Sequence, residues 1–283
     1  MEEERPESQD KEVDSPPPSP APVQPFAEET KEDANGEPTS LPSPVDGQTE
    51  PEAKRRKKEV LEKGKKEEWR KVAEGILAGG PVRVGKGTSK RSFAVVCSSN
   101  INRSIMAQKL LEKNDMRTKS YGTGSRVKLP GKNSKSPQSF AFGTPYLEIH
   151  DALVRVDEAL FRRNSVLALL ERDAVTKRAP ERWQALESQE VASFDVVVCF
   201  ESRVFDLVVE DLQQRDPDTF KPLHVVSMTI RDSAEDSAAA ASDVLELCKM
   251  LDACEDLNTE ASKLLNGFRS RTKRTVLHQV CHI

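Results

Sequence analysis

Short runs of apolar residues alternate with amphipathic segments from about residue 92 onward. Three runs, at residues 93–97, 195–200 and 223–228, are mostly apolar and are bounded by polar residues. Runs of this length are typical of strands that are buried on both faces of a sheet. Weaker runs at residues 118–122 and 275–281 are interpreted as two further strands.

Helical periodicity fills the segments between these strands. It predicts a helix over residues 104–114, two helical stretches within 146–173, and largely helical structure over 234–272. Ser202 is expected to cap another helix with an apolar stripe. This order predicts an α/β fold, a three-layer sandwich in which a twisted, mostly parallel sheet carries helices on both faces. In such folds ligands bind at the carboxyl ends of the strands.

Charge and proline content divide the chain into three segments. The net charge is −4 overall, but residues 1–53 carry 15 acidic and 3 basic residues, whereas residues 54–71 carry 10 basic and 4 acidic ones. Residues 1–51 also hold 11 of the 18 prolines, a composition that cannot offset the entropy of ordering. We therefore expect a disordered, acidic, proline-rich tail at 1–53, a basic helix and linker at 54–91, and a globular domain at 92–283.

The basic cluster at residues 54–58 consists of five consecutive Lys and Arg residues. It resembles a nuclear localisation signal, although the solvated start of a helix over 54–77 would have the same composition. We expect no direct nucleic-acid contact, because Trp69 is the only aromatic residue beside the cluster. The chain opens on acidic residues rather than a secretory signal, and no apolar run approaches the roughly 18 residues that span a bilayer. These features favour the nucleus and argue against a membrane.

The five cysteines are odd in number and widely spaced, which favours free thiols in a reducing compartment over a disulfide framework. Cys248 and Cys254 are six residues apart on a predicted helix and point to different faces. They are interpreted as buried structural thiols rather than as a metal clamp. Cys97, by contrast, ends the first predicted strand, where a ligand is expected to bind.

A loop of five residues separates Cys97 from Arg103, between the first strand and the next helix. Such a loop can turn its backbone N–H groups inward around an anion, with the start of the helix behind them. Arg103 can grip two phosphate oxygens, and the positive surroundings favour a Cys97 thiolate that attacks phosphorus and forms a cysteinyl-phosphate intermediate. The predicted phosphate-binding residues are Ser98, Ser99, Asn100, Ile101, Asn102 and Ser104.

A phosphatase of this kind needs a general acid, because an unprotonated serine oxygen is a poor leaving group. The acid is expected at the end of a neighbouring strand, and Asp232 closely follows the strand at residues 223–228. Asp236 and Asp206 are the alternative candidates, since many aspartates in such loops only cap helices or carry solvated charge. No metal or other cofactor is expected, because the thiolate and the arginine supply the chemistry.

The sequence around these residues resembles the Ssu72-type phosphatases, which act on the C-terminal domain of RNA polymerase II. The resemblance extends from about residue 93 to residue 282. Beside the loop at Cys97, it is carried by Tyr-Gly-Thr-Gly at 121–124, Val-Lys-Leu-Pro-Gly at 127–131, Pro-Glu-Arg at 180–182, Arg-Val-Phe-Asp at 203–206 and Leu-His-Gln-Val-Cys at 277–281. The wider low-molecular-weight tyrosine phosphatase superfamily shares only the loop.

The resemblance implies a low-molecular-weight phosphatase-like fold and makes residues 92–283 a cysteine-dependent phosphatase domain. It implies Cys97 as the nucleophile, Arg103 as the phosphate clamp and Asp232 as the general acid. Thr229 departs from the family, because many relatives carry an acidic residue three positions before the general acid. Because of Thr229, proton delivery or its pH dependence is expected to differ from that of relatives. Ser233 stands where asparagine is usual.

The resemblance also implies a substrate, phosphoserine followed by a proline in the cis form. Lys128, Leu129 and Pro130 match the part of the family that lies against this proline. The implied partners are the phosphorylated polymerase domain and a symplekin-like scaffold of mRNA 3′-end processing. A prolyl isomerase is expected as a functional partner, since it supplies the cis form.

Two other interpretations stay open on the sequence. A low-molecular-weight tyrosine phosphatase would carry an Asp-Pro-Tyr-Tyr acid loop, whereas the Asp-Pro pair at 216–217 is followed by Asp-Thr. The related arsenate reductases need additional cysteines placed to resolve Cys97, and the loop offers Ser98 instead. A non-enzymatic adaptor of a 3′-processing complex is the third interpretation, and the joint presence of Cys97, Arg103 and Asp232 argues against it.

Overall fold

The computed structural model describes residues 68–80, 87–133, 136–217 and 219–283. The predicted acidic tail, the basic cluster at 54–58 and the first part of the predicted helix over 54–77 lie outside the described residues. Residues 68–77 are helical and are named α1. No helix in the described ranges has both the length and the apolar character needed to cross a membrane.

The strands of the described residues form two sheets. In chain order they are β1 (Ser92–Cys97), β2 (Arg117–Gly122), β3 (Val127–Leu129), β4 (Gln138–Phe140), β5 (Val196–Cys199), β6 (Pro222–Met228) and β7 (Val276–His282). The main sheet has the order β2-β1-β5-β6-β7. Its first four strands run parallel, and β7 runs antiparallel to β6. β3 and β4 pair antiparallel to each other as a separate sheet.

The helices fill the connections between the strands. They are α2 (Arg103–Lys113), α3 (Tyr146–Arg163), α4 (Val166–Ala174), α5 (Ser188–Ala192), α6 (Ser202–Gln214), α7 (Ala234–Ala239), α8 (Ala241–Ala253) and α9 (Leu257–Thr272), with a 3₁₀ turn at Trp183–Ala185. The backbone of Asp157 departs from helical geometry and kinks α3.

Each face of the main sheet is covered by helices. Successive side chains of a strand point to opposite faces, so the continuous apolar strands present apolar side chains on both faces for helices to pack against. Phe93 and Val95 of β1 pack with apolar residues of α2, α8 and α9 on one face. Ala94 and Val96 pack with α6 and Trp183 on the other face. The three-layer arrangement predicted from the apolar runs is confirmed.

A third apolar cluster lies beside the sheet and contains α3, α4 and the β3–β4 pair. Ala73 of α1 is buried in this cluster. The ring of Trp69 meets that of His150 edge-on, with 4.9 Å between ring centroids, and Arg70 pairs with Asp151 of α3. α1 is therefore part of the packed core around α3.

Most predicted elements are confirmed to within about two residues, and three details are corrected. Ser202 does not cap α6, because Glu201 occupies the cap position and Ser202 is already helical. Cys254 directly follows the end of α8 rather than lying on it. All five cysteines are free as expected, and the burial predicted for Cys248 and Cys254 is confirmed. The β3–β4 pair was not predicted, since strands of three residues are too short to show alternation.

Candidate active site

The predicted phosphate-binding loop lies at the carboxyl end of β1 and leads directly into α2. β1 is flanked by β2 and β5, so residues that follow three strands converge around the loop. No side chain of the described residues caps α2. Since the first N–H groups of a helix have no acceptor within the helix, they stay available to an anion held in the loop.

Asn100 fixes the turn of this loop. Its φ of 54° lies in the left-handed region, which costs most residues roughly 1–2 kcal/mol. The side chain is completely buried, and its Nδ2 donates to the hydroxyls of Ser104 at 2.9 Å and Ser120 at 3.0 Å. Its Oδ1 accepts a 3.0 Å bond from the backbone N–H of Glu181. These bonds hold the strained turn in place.

Donors outside the loop hold its carbonyl groups. The hydroxyl of Tyr146 donates to the carbonyl of Asn100 at 2.5 Å, and Nη2 of Arg172 donates to the carbonyl of Ile101 at 2.7 Å. Burial raises the pKa of Tyr146 well above its ordinary value, so this hydroxyl keeps its proton. Because the carbonyls are satisfied from outside, the loop presents its N–H groups to a ligand.

Arg172 is itself held by a buried carboxylate. Oδ1 of Asp173 lies 2.6 Å from Nη2 of Arg172, and Asp173 has no exposed surface. Burial raises the pKa of Asp173 to about 7, although the charge of Arg172 opposes the shift. Asp173 therefore fixes the Arg172 guanidinium in position behind the loop.

The nucleophile candidate Cys97 faces a hydroxyl donor. Its Sγ lies 3.0 Å from Oγ of Ser104, and the same oxygen accepts the bond from Asn100. The hydrogen of the Ser104 hydroxyl is not used in the bond from Asn100, so it can be donated to the sulfur. This hydrogen bond, the helix start and the nearby guanidinium of Arg103 surround the sulfur with donors and positive charge.

Arg103 is buried beneath the loop and is held along one edge. Its Nη1 donates to Oε2 of Glu201 at 2.9 Å and to the carbonyl of Ile230 at 3.0 Å. Its Nε is buried and has no hydrogen-bond partner among the described residues. Burial opposes the charge, but Cys97, Asp232 and Glu201 together raise the pKa of Arg103. Nε is thus left for an oxygen of an anion, while Nη2 is already 3.4 Å from Oδ2 of Asp232.

Asp232 stands at the mouth of the loop, with 56% of its side chain exposed. Its Oδ1 accepts a 3.1 Å bond from Nδ2 of Asn102, and its Oδ2 lies 3.4 Å from Nη2 of Arg103. The Asn102 amide also donates to Ser237 of α7 at 3.2 Å. The side chain of Asn102 thus orients Asp232, and the predicted contact of Asn102 with phosphate stays a prediction for its backbone N–H.

The two alternative acids lie elsewhere. Oδ2 of Asp236 accepts a 2.8 Å bond from the Ser233 hydroxyl, and Ser233 in turn caps α7 by accepting from the Asp236 N–H. Asp206 is exposed on α6. Neither of these aspartates lines the cleft that contains Cys97.

A cleft of about 220 Å³ opens above Cys97. Ser99, Lys128, Leu129 and Pro130 form one side, and the start of α4 and the segment after β6 contribute the remainder. The other lining residues are Ile101, Asn102, Asn164, Ser165, Val166, Leu169, Asp232, Ser233, Ala234 and Glu235. The structure therefore brings the predicted nucleophile, acid and proline-contacting residues to one cleft.

Two hydroxyls of the loop tie it to neighbouring elements. The Ser99 hydroxyl accepts from the Lys128 N–H at 3.1 Å and lies 3.3 Å from the Lys128 carbonyl. The Ser98 hydroxyl donates to Oε1 of Glu201 at 2.6 Å. A Cβ at Gly122 would lie only 2.8 Å from the Ser98 carbonyl, so this close approach of β2 requires glycine. The loop is supported on both sides.

A family model described as Ssu72-like protein matches residues 91–283. The chain belongs to this family. The human RNA polymerase II C-terminal domain phosphatase SSU72 is 40% identical over 194 residues, which cover 69% of this chain and 98% of that protein. The zebrafish protein of the same name is 39% identical over 188 residues, or 66% of this chain and 95% of its own.

Solved structures of Ssu72 lead to the same family. Drosophila Ssu72 with symplekin, bound to a cis peptidomimetic CTD phosphopeptide, has a TM-score of 0.65 and 36% identity. Another crystal structure of Drosophila Ssu72, described as the serine phosphatase of the RNA polymerase II CTD, has a TM-score of 0.65 and 37% identity. Each covers 69% of this chain and is itself matched over its whole length.

Several residues of this Ssu72-like site were not predicted from the sequence. Glu201 directly follows a predicted strand, so the rule that ligands lie after strand ends could have found it. Arg172, Asp173 and Lys177 lie far from the loop in sequence and carry no such signal. Lys177 is almost completely buried, and its Nζ lies 3.4 Å from Oδ1 of Asn100.

Proposed function

We propose that this protein is a cysteine-dependent protein phosphatase that removes phosphate from phosphoserine-proline in the C-terminal domain of RNA polymerase II. The observation that carries the proposal is the joint placement of Cys97 and Asp232 at one cleft. Asp232 also contacts Nη2 of Arg103 at 3.4 Å, and Nε of Arg103 has no partner among the described residues. Membership of the Ssu72-like family supports the same activity. The polymerase domain as substrate is supported by the named relatives.

In the first step, the Cys97 thiolate attacks phosphorus in line with the serine oxygen. The loop N–H groups and the guanidinium of Arg103 hold the three other phosphate oxygens. The bond between phosphorus and the serine oxygen breaks, and Asp232 gives its proton to that oxygen. A cysteinyl phosphate and an unmodified serine result.

In the second step, water attacks the phosphorus of the cysteinyl phosphate. Asp232, now a carboxylate, takes the proton of this water. The bond between sulfur and phosphorus breaks, inorganic phosphate leaves, and the Cys97 thiolate is restored. Asn102 acts as a positioning residue here, because its amide holds one oxygen of Asp232.

The wall formed by Lys128, Leu129 and Pro130 lies beside Cys97 and is placed to contact the proline after phosphoserine. A binding site that accepts only the cis proline depends on a minority form, which is replenished over tens of seconds or longer without catalysis. A prolyl isomerase should therefore accelerate turnover of such peptides, because it replenishes the cis form. A symplekin-like scaffold is the proposed partner in 3′-end processing, and the nucleus is the proposed location.

The test compares full-length wild-type protein with Cys97→Ser on matched phosphoserine-proline and phosphotyrosine peptides, with phosphate release as the measurement. We expect hydrolysis of the phosphoserine peptide by wild type and none by the variant. Buried Cys248→Ser serves as the matched control, since that thiol does not line the cleft and the activity should persist.

Two results would overturn the proposal. Hydrolysis of phosphotyrosine alone would assign the protein to the tyrosine phosphatases. Absence of hydrolysis on either peptide, by protein with a native thermal transition, would favour the adaptor interpretation. Full activity in the presence of chelators is expected, because the proposed steps use only the thiolate, the arginine and the aspartate.

A further inference from the structure

A second cleft, of about 280 Å³, lies next to the phosphate-binding loop. Ser99 and Lys128 line both this cleft and the cleft above Cys97. The hydrogen bonds between these two residues therefore form the boundary across which the clefts meet. The remaining lining residues are Ser98, Thr123, Gly124, Ser125, Arg126, Glu201, Arg203, Val204 and Leu207.

The second cleft carries an excess of positive charge. Arg126, Lys128 and Arg203 line it, and Glu201 is the only acidic residue among the described residues that line it. Both oxygens of Glu201 are already engaged, one by Ser98 and the other by Arg103. Although burial opposes the shift, these hydrogen bonds and the charges of Arg103 and Arg203 hold the pKa of Glu201 below its ordinary value. Glu201 therefore offsets part of the positive charge of the cleft, and two of the three positive charges remain in excess.

Two of the three cations are free to bind a ligand. The ammonium group of Lys128 and the guanidinium group of Arg203 take part in no hydrogen bond or ion pair with the described residues. Arg126 uses its Nε and Nη2 on Ser139 of β4, which fixes its side chain beside the cleft. A guanidinium with unused N–H groups fits the oxygens of a phosphate particularly well.

The start of α6 adds to this positive potential. Arg203 and Val204 lie in its first turn, where the helix dipole favours an anion. Glu201 occupies the cap position but does not cap the helix with its side chain. The first N–H groups of α6 therefore support the same ligand as the arginines.

We propose that this cleft is a second anion-binding subsite, which recognises another phosphate group on the same substrate peptide. The inference rests on the proposed function, since it takes the first phosphate to lie above Cys97. An extended peptide advances about 3.3–3.6 Å per residue, whereas the cis bond after the reacting serine turns the chain and shortens its advance on that side. Because the two clefts share Ser99 and Lys128, a second phosphoserine two to four residues from the reacting one is within reach.

The test uses phosphoserine-proline peptides with and without a second phosphoserine, placed two, three or four residues before or after the first. At the favoured spacing, wild-type full-length protein should show a KM about three- to tenfold lower for the doubly phosphorylated peptide. Arg203→Gln should remove this preference and leave kinetics on the singly phosphorylated peptide unchanged. Arg155→Gln, an exposed arginine of α3 that lines neither cleft, is the matched control and should retain it.

A second measurement separates this inference from the proposed function. The binding of the same peptides to Cys97→Ser, and to Cys97→Ser combined with Arg203→Gln, is followed by fluorescence anisotropy. Tighter binding of the doubly phosphorylated peptide that Arg203→Gln abolishes supports the subsite, even if hydrolysis fails. Equal KM and equal affinity at every spacing, with normal hydrolysis of the singly phosphorylated peptide, would refute the subsite and leave the proposed function intact. A preference that salt at about 1 M does not weaken would also refute it, because exposed charges are strongly screened there.

Discussion

Oε2 of Glu201 lies 2.9 Å from Nη1 of Arg103, while Oε1 accepts a 2.6 Å bond from the Ser98 hydroxyl. One carboxylate at the end of β5 thus joins the first residue of the loop after Cys97 to the arginine at its far end. The bond also fixes the orientation of the Arg103 guanidinium by holding its Nη1. Glu201 is therefore a positioning residue for the proposed clamp.

Glu201→Gln should lower kcat/KM on a phosphoserine-proline peptide by about 10- to 100-fold, the range expected for a charge-assisted hydrogen bond. The amide keeps the size of the side chain but loses one acceptor and the negative charge. Inhibition by inorganic phosphate should weaken in parallel, which a purely structural role would not cause. Glu210→Gln, exposed on the following helix, should change neither constant.

Asp232→Asn should lower kcat on a phosphoserine peptide by roughly 10²- to 10⁴-fold, as expected when a general acid is removed. The loss should be much smaller on an aryl phosphate, because a phenolate leaves without a proton. The measurement is the ratio of kcat values on the two substrates for wild type and variant.

Asp236→Asn provides the comparison for this prediction. Asp236 interacts with Ser233 at the start of α7, so its variant should keep the wild-type ratio and lose a little thermal stability. A larger catalytic loss in Asp236→Asn than in Asp232→Asn would show that Asp232 is not the general acid.

Asn100→Ala should reduce the free energy of unfolding by about 2–4 kcal/mol, because its buried partners lose their hydrogen bonds. Asn100→Gly loses the same bonds but adopts a φ of 54° without strain. The glycine variant should therefore be the more stable by about 1 kcal/mol in chemical denaturation. Equal stabilities would show that the left-handed turn costs nothing in the folded state.

His278 should make the protein sensitive to mild acid. Burial, the neighbouring His224 and Arg269 lower the pKa of His278 to about 4. The pKa of a histidine in an unfolded chain is about 6.5. Between these values the unfolded chain binds more protons, so stability is full above about pH 6.5 and falls as the pH drops toward about 4. The melting temperature across this range measures the effect.

His278→Gln should flatten this pH dependence, since the glutamine takes up no proton. His282→Gln, at an exposed position of the same strand, should leave it unchanged. An identical pH profile for wild type and His278→Gln would contradict the assignment.

The fold was largely predictable because its central strands are continuous apolar runs. β1 and β5 are buried on both faces, and their sequences contain no competing helical periodicity. The β3–β4 pair was missed because its strands are too short to show a pattern in the sequence. It is held in place by contacts such as the bonds between Lys128 and Ser99, which link residues 29 positions apart.

Site residues were predictable only where reactive side chains lie close together in the sequence or follow a predicted strand. Cys97 and Arg103 belong to one short segment, and Asp232 follows a strand end. The pair Arg172–Asp173 acts on the loop from α4, some 70 residues away, and no local pattern indicates that role. Interactions of this kind depend on the packing of helices, which apolar periodicity alone does not define.

The family match begins at residue 91, yet side chains of α1 are packed in the cluster around α3. The evolutionary boundary and the physical boundary of the domain therefore differ by at least 20 residues. A protein shortened to residue 91 would uncover the ring of His150 and leave Asp151 without the arginine it pairs with. Biochemical work on the family-sized fragment alone would thus describe a molecule with a surface that the full chain keeps covered.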